Sequence, residues 1–304
     1  MISAGVDCGA VERTYEDMAR HSPTRMTRAV TTAALTLALA SGGPAAQAEE
    51  DAAASTHVGD YRVVAHRGAP ARHVTENTLP ALERAVGTGA SAVELDVSLT
   101  ADGGFVLLHD ATLDRTTTCR GPAVRRSLRW IRSHCRGVRG REPVPSLDAA
   151  LAYLRGTDVD LLLEIKRHPG AEWDAAALTR LRAAVEKAGM RDRTLLLCFH
   201  APTLALAEQT VPDLETQWIV TSWKQQVHRA RRDPTTWVDG VNVWVRQLTR
   251  KRVRRLQAAG LLVLGRNTQA RRDWARLRRY GVDGVMTDDV PGYRTWSRKQ
   301  GQGR

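Results

Sequence analysis

The feature that most restricts the fold of this sequence is a regular alternation of short apolar segments with longer amphipathic ones. The apolar segments have the length of buried β-strands and occupy residues 62–66, 92–97, 105–109, 160–165, 194–199, 216–220, 240–244, 261–264 and 284–287. Stretches with helical periodicity lie between most of them, for example 79–86, 175–188 and 250–259. Repeated βα units over about 250 residues predict an α/β fold, a single-domain (β/α)8 TIM barrel, with a doubly wound parallel sheet as the second choice.

The connection between the second and third apolar segments is too short to hold a helix. Its centre is Asp102-Gly103, a dipeptide typical of a two-residue hairpin turn. The sequence therefore predicts an irregular strand-turn-strand unit after the first βα unit, so at least one of the nine segments is not a barrel strand. A two-residue turn at this dipeptide would place Asp96 opposite His109.

Composition supports a globular protein and gives only weak information about partners. The chain has 304 residues, of which 42% are hydrophobic and 26% charged, and this excludes a disordered polyelectrolyte. The net charge of +12 comes almost entirely from arginine, which together with the many alanines is typical of a codon-composition bias. A solvated basic surface is favoured over a nucleic-acid face. Neither a nucleic-acid partner nor a transmembrane segment is expected, and the oligomeric state is left open.

The first fifty residues contain the three parts of a secretory signal peptide. Arg25 and Arg28 precede an uncharged segment at 29–40, and Ala46-Gln47-Ala48 supplies a cleavage site. Met26 is the expected true start, and a short buried helix is the alternative interpretation of the apolar segment. The protein is therefore expected to be secreted and extracellular. Its predicted organisation is an N-terminal extension with a signal peptide over 1–48, a linker over 49–60, the barrel over 61–295 and a basic tail over 296–304.

Export would place the remaining cysteines in an oxidising compartment. Cys119 and Cys135 lie 16 residues apart in a polar, arginine-rich segment, which predicts a disulfide that closes a loop. Cys198 follows an apolar run and is expected to be a buried free thiol. No Cys or His spacing indicates a zinc site.

Charged residues interrupt the predicted strands near their C-terminal ends, always on one face. Glu94 and Asp96 share a face of the second segment, and Glu164 and Lys166 share a face of the fourth. Taken singly, such residues could form a solvent-facing edge or a buried ion pair. Several at neighbouring strand ends are costly to bury unless they form a site, and the C-terminal mouth of a barrel is where catalytic groups meet.

Three carboxylates that meet without a cation would repel one another and raise one another's pKa values. A hard divalent cation, Mg²⁺ or Ca²⁺, removes this conflict because it prefers oxygen ligands. The sequence therefore predicts one divalent cation held by Glu94, Asp96 and Glu164.

The same end of the barrel is expected to bind an anionic substrate. Lys166 and Arg67 would supply positive charge next to the metal. His66 and His109 end two further segments, and beside a metal-bound anion they would form a general acid/base pair. As single residues, histidines at strand ends are more often structural, and that alternative stays open.

An ordered set of motifs makes the chain similar to the glycerophosphodiester phosphodiesterase family over about residues 61–292. The motifs are Val64-Ala65-His66-Arg67-Gly68, Glu76-Asn77-Thr78, Glu94-Leu95-Asp96-Val97, His109-Asp110, Leu163-Glu164-Ile165-Lys166 and Gly281-Val282-Asp283-Gly284-Val285-Met286-Thr287-Asp288. The resemblance implies a barrel, a divalent metal and hydrolysis of a glycerophosphodiester to glycerol 3-phosphate and an alcohol.

Carried over by motif, the resemblance assigns a role to eight residues. It implies metal ligands at Glu94, Asp96 and Glu164, catalytic histidines at His66 and His109, phosphate contacts at Arg67 and Lys166, and a site-supporting asparagine at Asn77. One departure lies near the C-terminus, where Leu264-Gly265-Arg266-Asn267 stands in place of the frequent Trp-Thr-Val-Asn. The change loses an aromatic wall and adds a cation, so the alcohol preference of relatives does not transfer.

The sequence thus predicts a secreted, metal-dependent hydrolase that acts on a small glycerophosphodiester or a teichoic-acid-like chain end. One rival is a phospholipase of the same superfamily, C-like or D-like, which an exposed rim formed by Trp223, Trp237 and Trp244 would favour. A second rival is a catalytically inactive secreted module that binds anionic wall polymers through the basic tracts 246–255 and 271–279. The intact carboxylates and histidines of this chain count against an inactive module. The choice between Ca²⁺ and Mg²⁺, between the two histidines as acid and base, and between direct water attack and a cyclic phosphate stays open.

Overall fold

Eight parallel strands close into a barrel, and a ninth strand pairs antiparallel with the end of one of them. The computed structural model describes residues 62–229, 232–266 and 268–301. Within them the strand order is β1-β9-β8-β7-β6-β5-β4-β2-β3, and pairing between β1 and β2 closes the ring. The predicted TIM barrel is confirmed. The expected signal peptide, the start at Met26 and the linker lie outside the described residues.

The strands and helices follow the predicted alternation. The strands are β1 Arg62–Ala65, β2 Ala92–Leu99, β3 Phe105–Leu107, β4 Asp160–Ile165, β5 Thr194–Cys198, β6 Glu215–Val220, β7 Gly240–Trp244, β8 Leu262–Arg266 and β9 Gly284–Thr287. The α-helices are α1 Leu79–Gly87, α2 Leu128–His134, α3 Leu147–Leu154, α4 Ala175–Lys187, α5 Ala201–Thr210, α6 Arg250–Ala258, α7 Arg271–Tyr280 and α8 Val290–Gly301. A π-helix over Trp223–Arg229 follows β6.

Alternate residues of each strand face the barrel interior, and this periodicity determines which side chains reach the mouth. The interior cluster contains Val64, Ala92, Leu162, Leu195, Leu197, Ile219, Leu264 and Met286, all buried. The intervening residues, such as Leu161 and Leu163 of β4, belong to the core under the helices. Glu164 therefore points into the barrel two residues beyond Leu162, at the C-terminal end of its strand.

The strand-turn-strand unit exists, but its expected register is wrong by one residue. β2 and β3 pair antiparallel with Val97 opposite Leu107. Leu108, and not His109, therefore faces Asp96, and the Leu108 amide donates a hydrogen bond of 3.0 Å to the Asp96 carbonyl.

The register differs because the turn is longer than two residues. The Gly103 amide donates to the Thr100 carbonyl, and the Thr100 amide donates to the Gly104 carbonyl, both at 3.0 Å. A two-residue turn of the expected kind requires positive φ at both central positions, whereas here Gly103, with φ 71°, takes the left-handed conformation and Asp102 does not. The Asp102 side chain instead accepts hydrogen bonds from Thr100 Oγ1 and the Leu128 amide, which stabilise the longer turn.

The connection from β3 to α3 forms a lobe, residues 108–144, that has a small core of its own. This core consists of Val106, Leu108, Leu113, Ala123, Ile131, Cys135 and Val144. A disulfide joins Cys119 to Cys135 across a Cα–Cα distance of 5.3 Å, which is the pairing that the sequence predicts. Cys198 is a buried free thiol, and burial raises its pKa to about 12.

The last helix continues beyond the expected end of the barrel at residue 295. Trp296 is buried and its ring centroid lies 5.7 Å from that of Trp274 and 5.6 Å from that of Tyr293. This aromatic packing holds α8 against α7, and the helix continues past Trp296 to Gly301. Residues 302–304 of the expected basic tail lie outside the described part.

The tryptophans considered for a membrane rim are largely internal. Trp223 is buried, Trp237 packs on Trp218 with ring centroids 5.3 Å apart, and Trp244 is half-buried. Across the described ranges, no helix has the length and apolar character needed to cross a membrane.

We expect the disulfide to stabilise the protein mainly through the lobe. Replacing both Cys119 and Cys135 by Ser should lower the free energy of unfolding by about 3 kcal/mol, because the unfolded chain regains the freedom of an open loop. Urea unfolding of the wild type and the double variant measures the difference. Peptide mass mapping after alkylation without reductant should leave both cysteines unlabelled, and labelling of both in the wild type would contradict the bridge.

Candidate active site

Three buried carboxylates meet at the C-terminal end of neighbouring strands. β2 and β4 pair in parallel with Asp96 beside Glu164, and Glu94 precedes Asp96 by one full strand repeat on the same face. One oxygen of each carboxylate lies within 4.8 Å of one oxygen of the other two. Glu94 and Asp96 are completely buried and Glu164 is 2% exposed.

The negative charges of this cluster are compensated only in part by its protein neighbours. Burial and the neighbouring charge of Asp96 raise the pKa of Glu94 to about 8. Burial would also raise the pKa of Asp96, but the positive charges around it, led by Lys166, lower it. Glu94 Oε1 and Asp96 Oδ1 are buried and have no hydrogen-bond partner among the described residues. These all-oxygen donors fit a hard divalent cation, which would use the orphaned oxygens.

Two cationic side chains border the cluster. Lys166 Nζ donates a hydrogen bond of 2.6 Å to Glu164 Oε1 and lies 3.5 Å from Asp96 Oδ1. The Arg67 amide donates to Glu94 Oε2 at 2.8 Å, and Arg67 Nε lies 3.5 Å from Asp96 Oδ2. Burial would lower the pKa of both cations, but the carboxylates outweigh it and raise both values. Both side chains therefore remain charged.

Asn77 fixes the orientation of Asp96 through two hydrogen bonds. Its Nδ2 donates to Asp96 Oδ2 at 2.7 Å, and its Oδ1 accepts from the Asp96 amide at 2.9 Å. Its own amide donates to the Arg67 carbonyl at 3.0 Å, which joins the two loops that border the cluster.

The loop that carries Arg67 has an unusual backbone. Arg67, Ala69 and Asn77 have φ values of 52°, 56° and 57°, in the left-handed region that costs a non-glycine residue about 1–3 kcal/mol. Gly68 between them has φ 77°, and a Cβ there would lie 3.1 Å from the Ala81 backbone at the start of α1. This conformation turns the Arg67 amide towards Glu94.

His66 lies beside the cluster and is held by a carboxylate. Its Nδ1 is 2.6 Å from Asp288 Oδ1, and its Nε2 is 3.9 Å from Glu94 Oε2. Gln269 Nε2 donates to the other oxygen of Asp288 at 2.6 Å. Burial would lower the pKa of His66, but the hydrogen bond to Asp288 and the charge of Glu94 outweigh it and raise the pKa.

His109 is held in the same way by its neighbour in sequence. Its Nδ1 lies 2.7 Å from Asp110 Oδ1, and about a third of its side chain is exposed. Burial lowers its pKa, with Asp96 opposing and Lys166 adding to the shift. Each histidine thus has a carboxylate on Nδ1, which leaves Nε2 as the nitrogen available to a substrate.

Arg115, which the sequence reasoning did not single out, links two of these supports. Its Nε and Nη2 donate to Asp110 at 2.6 and 3.1 Å, and its Nη1 and Nη2 donate to Glu76 at 2.9 and 2.7 Å. Glu76 in turn accepts from Arg67 Nη1 at 2.8 Å. A continuous chain of charge-assisted hydrogen bonds therefore runs from His109 to Arg67.

The structure brings all eight predicted site residues to one end of the barrel. The disulfide lies apart from them, in the lobe that carries Asp110 and Arg115. Glu76, Asp110 and Asp288 stand inside motifs noted from the sequence, and adjacency to the histidine indicates a role for Asp110. Arg115 and Gln269 lie in polar loops without periodicity, so no sequence signal distinguishes them from ordinary surface residues.

Comparisons with known proteins agree on one family. The model of the glycerophosphoryl diester phosphodiesterase family matches residues 66–291. The glycerophosphodiester phosphodiesterase of Caldanaerobacter subterraneus subsp. tengcongensis is 28% identical over 241 residues, which cover 75% of this chain and 93% of the relative.

Solved structures have the same barrel. A protein from Silicibacter pomeroyi has a TM-score of 0.71 at 25% identity, with 81% of this chain and 95% of that chain covered. An Oleispira antarctica phosphodiesterase, solved in complex with the product sn-glycerol-3-phosphate, has a TM-score of 0.68 at 23% identity, with 78% and 96% covered.

We expect Arg115 to control the ionisation of Asp110. Burial would raise the pKa of Asp110, but its hydrogen bonds from Arg115 and His109 lower it to about 2. Arg115→Met should therefore raise this pKa towards the ordinary value of 3.8, with His109 still lowering it in part, and NMR titration of the side-chain carboxyl carbon measures the change.

The lowered pKa of Asp110 also makes the free energy of unfolding depend on pH. A carboxylate with a lowered pKa stabilises the fold above its ordinary pKa, and this stabilisation is lost as the pH falls through about 2 in the wild type. The variant should lose the part of this stabilisation that Arg115 supplies. Arg120→Met is the matched control, because Arg120 lies in the same loop, pairs only with Asp114 at 3.8 Å among the described ion pairs, and is 82% exposed. An unchanged Asp110 pKa in Arg115→Met would contradict the proposed linkage.

Proposed function

The chain belongs to the glycerophosphoryl diester phosphodiesterase family, and we propose that it hydrolyses glycerophosphodiesters to glycerol 3-phosphate and an alcohol by two-histidine catalysis at a divalent metal site. The observation that carries the proposal is the buried carboxylate cluster, with oxygens within 4.8 Å of one another, between two histidines that are each bound by a carboxylate. The named relatives support the reaction class, since they are glycerophosphodiester phosphodiesterases.

Glu94, Asp96 and Glu164 would hold the cation. Oxygen-only donors favour Mg²⁺ or Ca²⁺ over zinc, and an extracellular setting favours Ca²⁺ slightly. When bound, such an ion supplies charge neutralisation at the scissile phosphate. Asn77 keeps Asp96 in place for this purpose through its two hydrogen bonds.

Arg67 and Lys166 would bind the phosphate oxygens. Both cations already touch the carboxylate cluster, so a phosphate bound above it lies within their reach. Phosphodiesters resist nucleophilic attack because they carry negative charge, and fixed cations stabilise the additional charge on the oxygens in the transition state.

His66 and His109 would move the protons through their Nε2 atoms. Asp288 and Asp110 both have lowered pKa values and are therefore ionised acceptors at neutral pH. Each Nδ1 must then donate, which leaves Nε2 to accept a proton from the nucleophile or to donate one to the departing alkoxide. One histidine performs each transfer, and the two carboxylates hold the rings in orientation.

The rival functions gain no support. The three tryptophans considered for a membrane rim are buried or packed within the described core. The basic helices α6 and α7 bury Val253, Leu256, Trp274 and Leu277 against the barrel, so their arginines form ordinary outward faces.

We also propose that the protein is secreted. The signal-like segment 25–48 and a disulfide in the lobe both support export to an oxidising compartment. N-terminal sequencing of protein recovered from culture medium should begin at Glu49, and an intact N-terminus on cell-retained protein would contradict the proposal.

Metal removal should abolish activity. Excess chelator is expected to stop release of glycerol 3-phosphate from glycerophosphocholine, glycerophosphoethanolamine, glycerophosphoglycerol and teichoic-acid chain ends, and Ca²⁺ or Mg²⁺ should restore it. Glu94→Gln, Asp96→Asn and Glu164→Gln should each weaken metal affinity, measured by calorimetry, without unfolding the barrel. Glu186→Gln removes a carboxylate of α4 that is 48% exposed and serves as the control. Full activity in chelator, with Glu164→Gln unimpaired, would show that the carboxylates pair only with Lys166 and Arg67.

Loss of either histidine should affect turnover more than stability. His66→Ala and His109→Ala should each lower kcat by about 10²–10⁴-fold, the usual contribution of a general acid or base. Thermal unfolding and metal titration should change little. His73→Ala and His228→Ala, at exposed positions outside the site motifs, are the controls. Turnover near the wild-type value in either catalytic variant would remove that histidine from the mechanism.

A further inference from the structure

Arg266 lies at the mouth of the barrel and points inward. It is the last residue of β8, at the same C-terminal end as the carboxylate cluster. A Cβ at its neighbour Gly265 would collide with Leu277 of α7, so position 265 faces the outer helix layer. Leu264 belongs to the barrel interior. Because side chains alternate along a strand, Arg266 faces the interior as Leu264 does.

The guanidinium of Arg266 is buried, and no counter-charge pairs with it in the part of the chain that the structure describes. The residue is 4% exposed. Its Nε and Nη1 atoms are buried and donate no hydrogen bond to residues 62–229, 232–266 or 268–301, and no carboxylate in these ranges forms an ion pair with it. Burying a charge is costly unless a partner compensates it. An anion from outside the protein would supply that partner.

An aromatic contact places this guanidinium beside the proposed phosphate site. The Phe199 ring centroid lies 5.0 Å from Arg266 Cζ and 5.6 Å from Lys166 Nζ. Phe199 is itself 38% exposed at the mouth, so a ligand can reach the space that it borders. Lys166 is committed to Glu164 and Asp96, whereas Arg266 has neither carboxylate as a partner. A cation–π contact compensates only part of the cost of burial.

We propose that Arg266 binds a second anionic group, a carboxylate or phosphate, on the alcohol part of the substrate. The proposal rests on the proposed function, in which Arg67, Lys166 and the metal take the scissile phosphate. A planar guanidinium binds carboxylates and phosphates through paired hydrogen bonds, and its free Nε and Nη1 atoms are suited to that geometry. The enzyme would therefore prefer diesters whose alcohol carries a carboxylate or phosphate over diesters whose alcohol carries only an ammonium group.

Glycerophosphoserine and glycerophosphoethanolamine are the matched test substrates, because they differ by one carboxylate on the alcohol. The wild type should have the higher kcat/KM on glycerophosphoserine. Arg266→Met retains length and contact with Phe199 but removes the charge, and it should lower the ratio of the two kcat/KM values about tenfold or more. Arg266→Lys should retain part of the preference. Arg246→Met is the control, since Arg246 is an exposed cation that stacks on Trp244 at the end of the neighbouring β7 and should leave the ratio unchanged.

Titration calorimetry of the same diesters in excess chelator measures binding without turnover. The ratio of the two Kd values should shift with Arg266→Met as the kinetic ratio does. An equal loss on both diesters would overturn the proposal and assign Arg266 to the scissile phosphate, and no loss on either would overturn it in favour of packing alone. A wild type that hydrolyses neither diester would contradict the proposed function, while the Kd ratio would still decide the role of Arg266.

Discussion

The mutual repulsion of Glu94, Asp96 and Glu164 is the constraint around which the mouth of this barrel is organised. A closed parallel barrel places alternate side chains of neighbouring strands on one inner surface, so carboxylates at matching positions of β2 and β4 cannot avoid one another. Two of them are fully buried. Their charge has to be balanced by cationic groups and hydrogen-bond donors at the mouth of the barrel.

Each surrounding element supplies part of that balance. Lys166 comes from the end of β4, Arg67 from the loop after β1, and Asn77 from the loop before α1. The left-handed conformations of Arg67, Ala69 and Asn77 are the local cost of bringing backbone and side-chain donors to the carboxylates. The strained loop backbone thus serves the same purpose as the cationic side chains, and the proposed divalent cation would complete the charge balance.

Much of this arrangement could be predicted from the sequence because it depends on short-range periodicity. The parity of Glu94 and Asp96 within β2, and the position of His66 after β1, follow from strand geometry, and the ordered motifs identify the family. The hairpin register could not be predicted with equal accuracy, since Asp102-Gly103 is compatible with turns of different length. The extra hydrogen bonds to Asp102 decide between them.

Contacts between residues that are distant in the chain could not be predicted from the sequence. Arg115 meets Glu76 across 39 residues, and its loop has no periodicity that would single it out from the many arginines of the chain. The continuation of α8 past residue 295 depends on the packing of Trp296 on Trp274. The basic composition of residues 296–304 gives no indication of this packing. In both cases the decisive partner lies far away in the chain.

The lobe between β3 and α3 packs around a hydrophobic cluster of its own and also contributes to the active site. Its core is separate from the barrel interior, yet it carries Asp110 and Arg115, and through them it orients His109. Sub-global opening of this lobe would disconnect one histidine while the barrel strands keep their amide protons protected from exchange. Activity that depends on His109 would then be lost at a lower temperature or denaturant concentration than the barrel fold. The Cys119–Cys135 bridge reduces this difference because it stabilises the lobe.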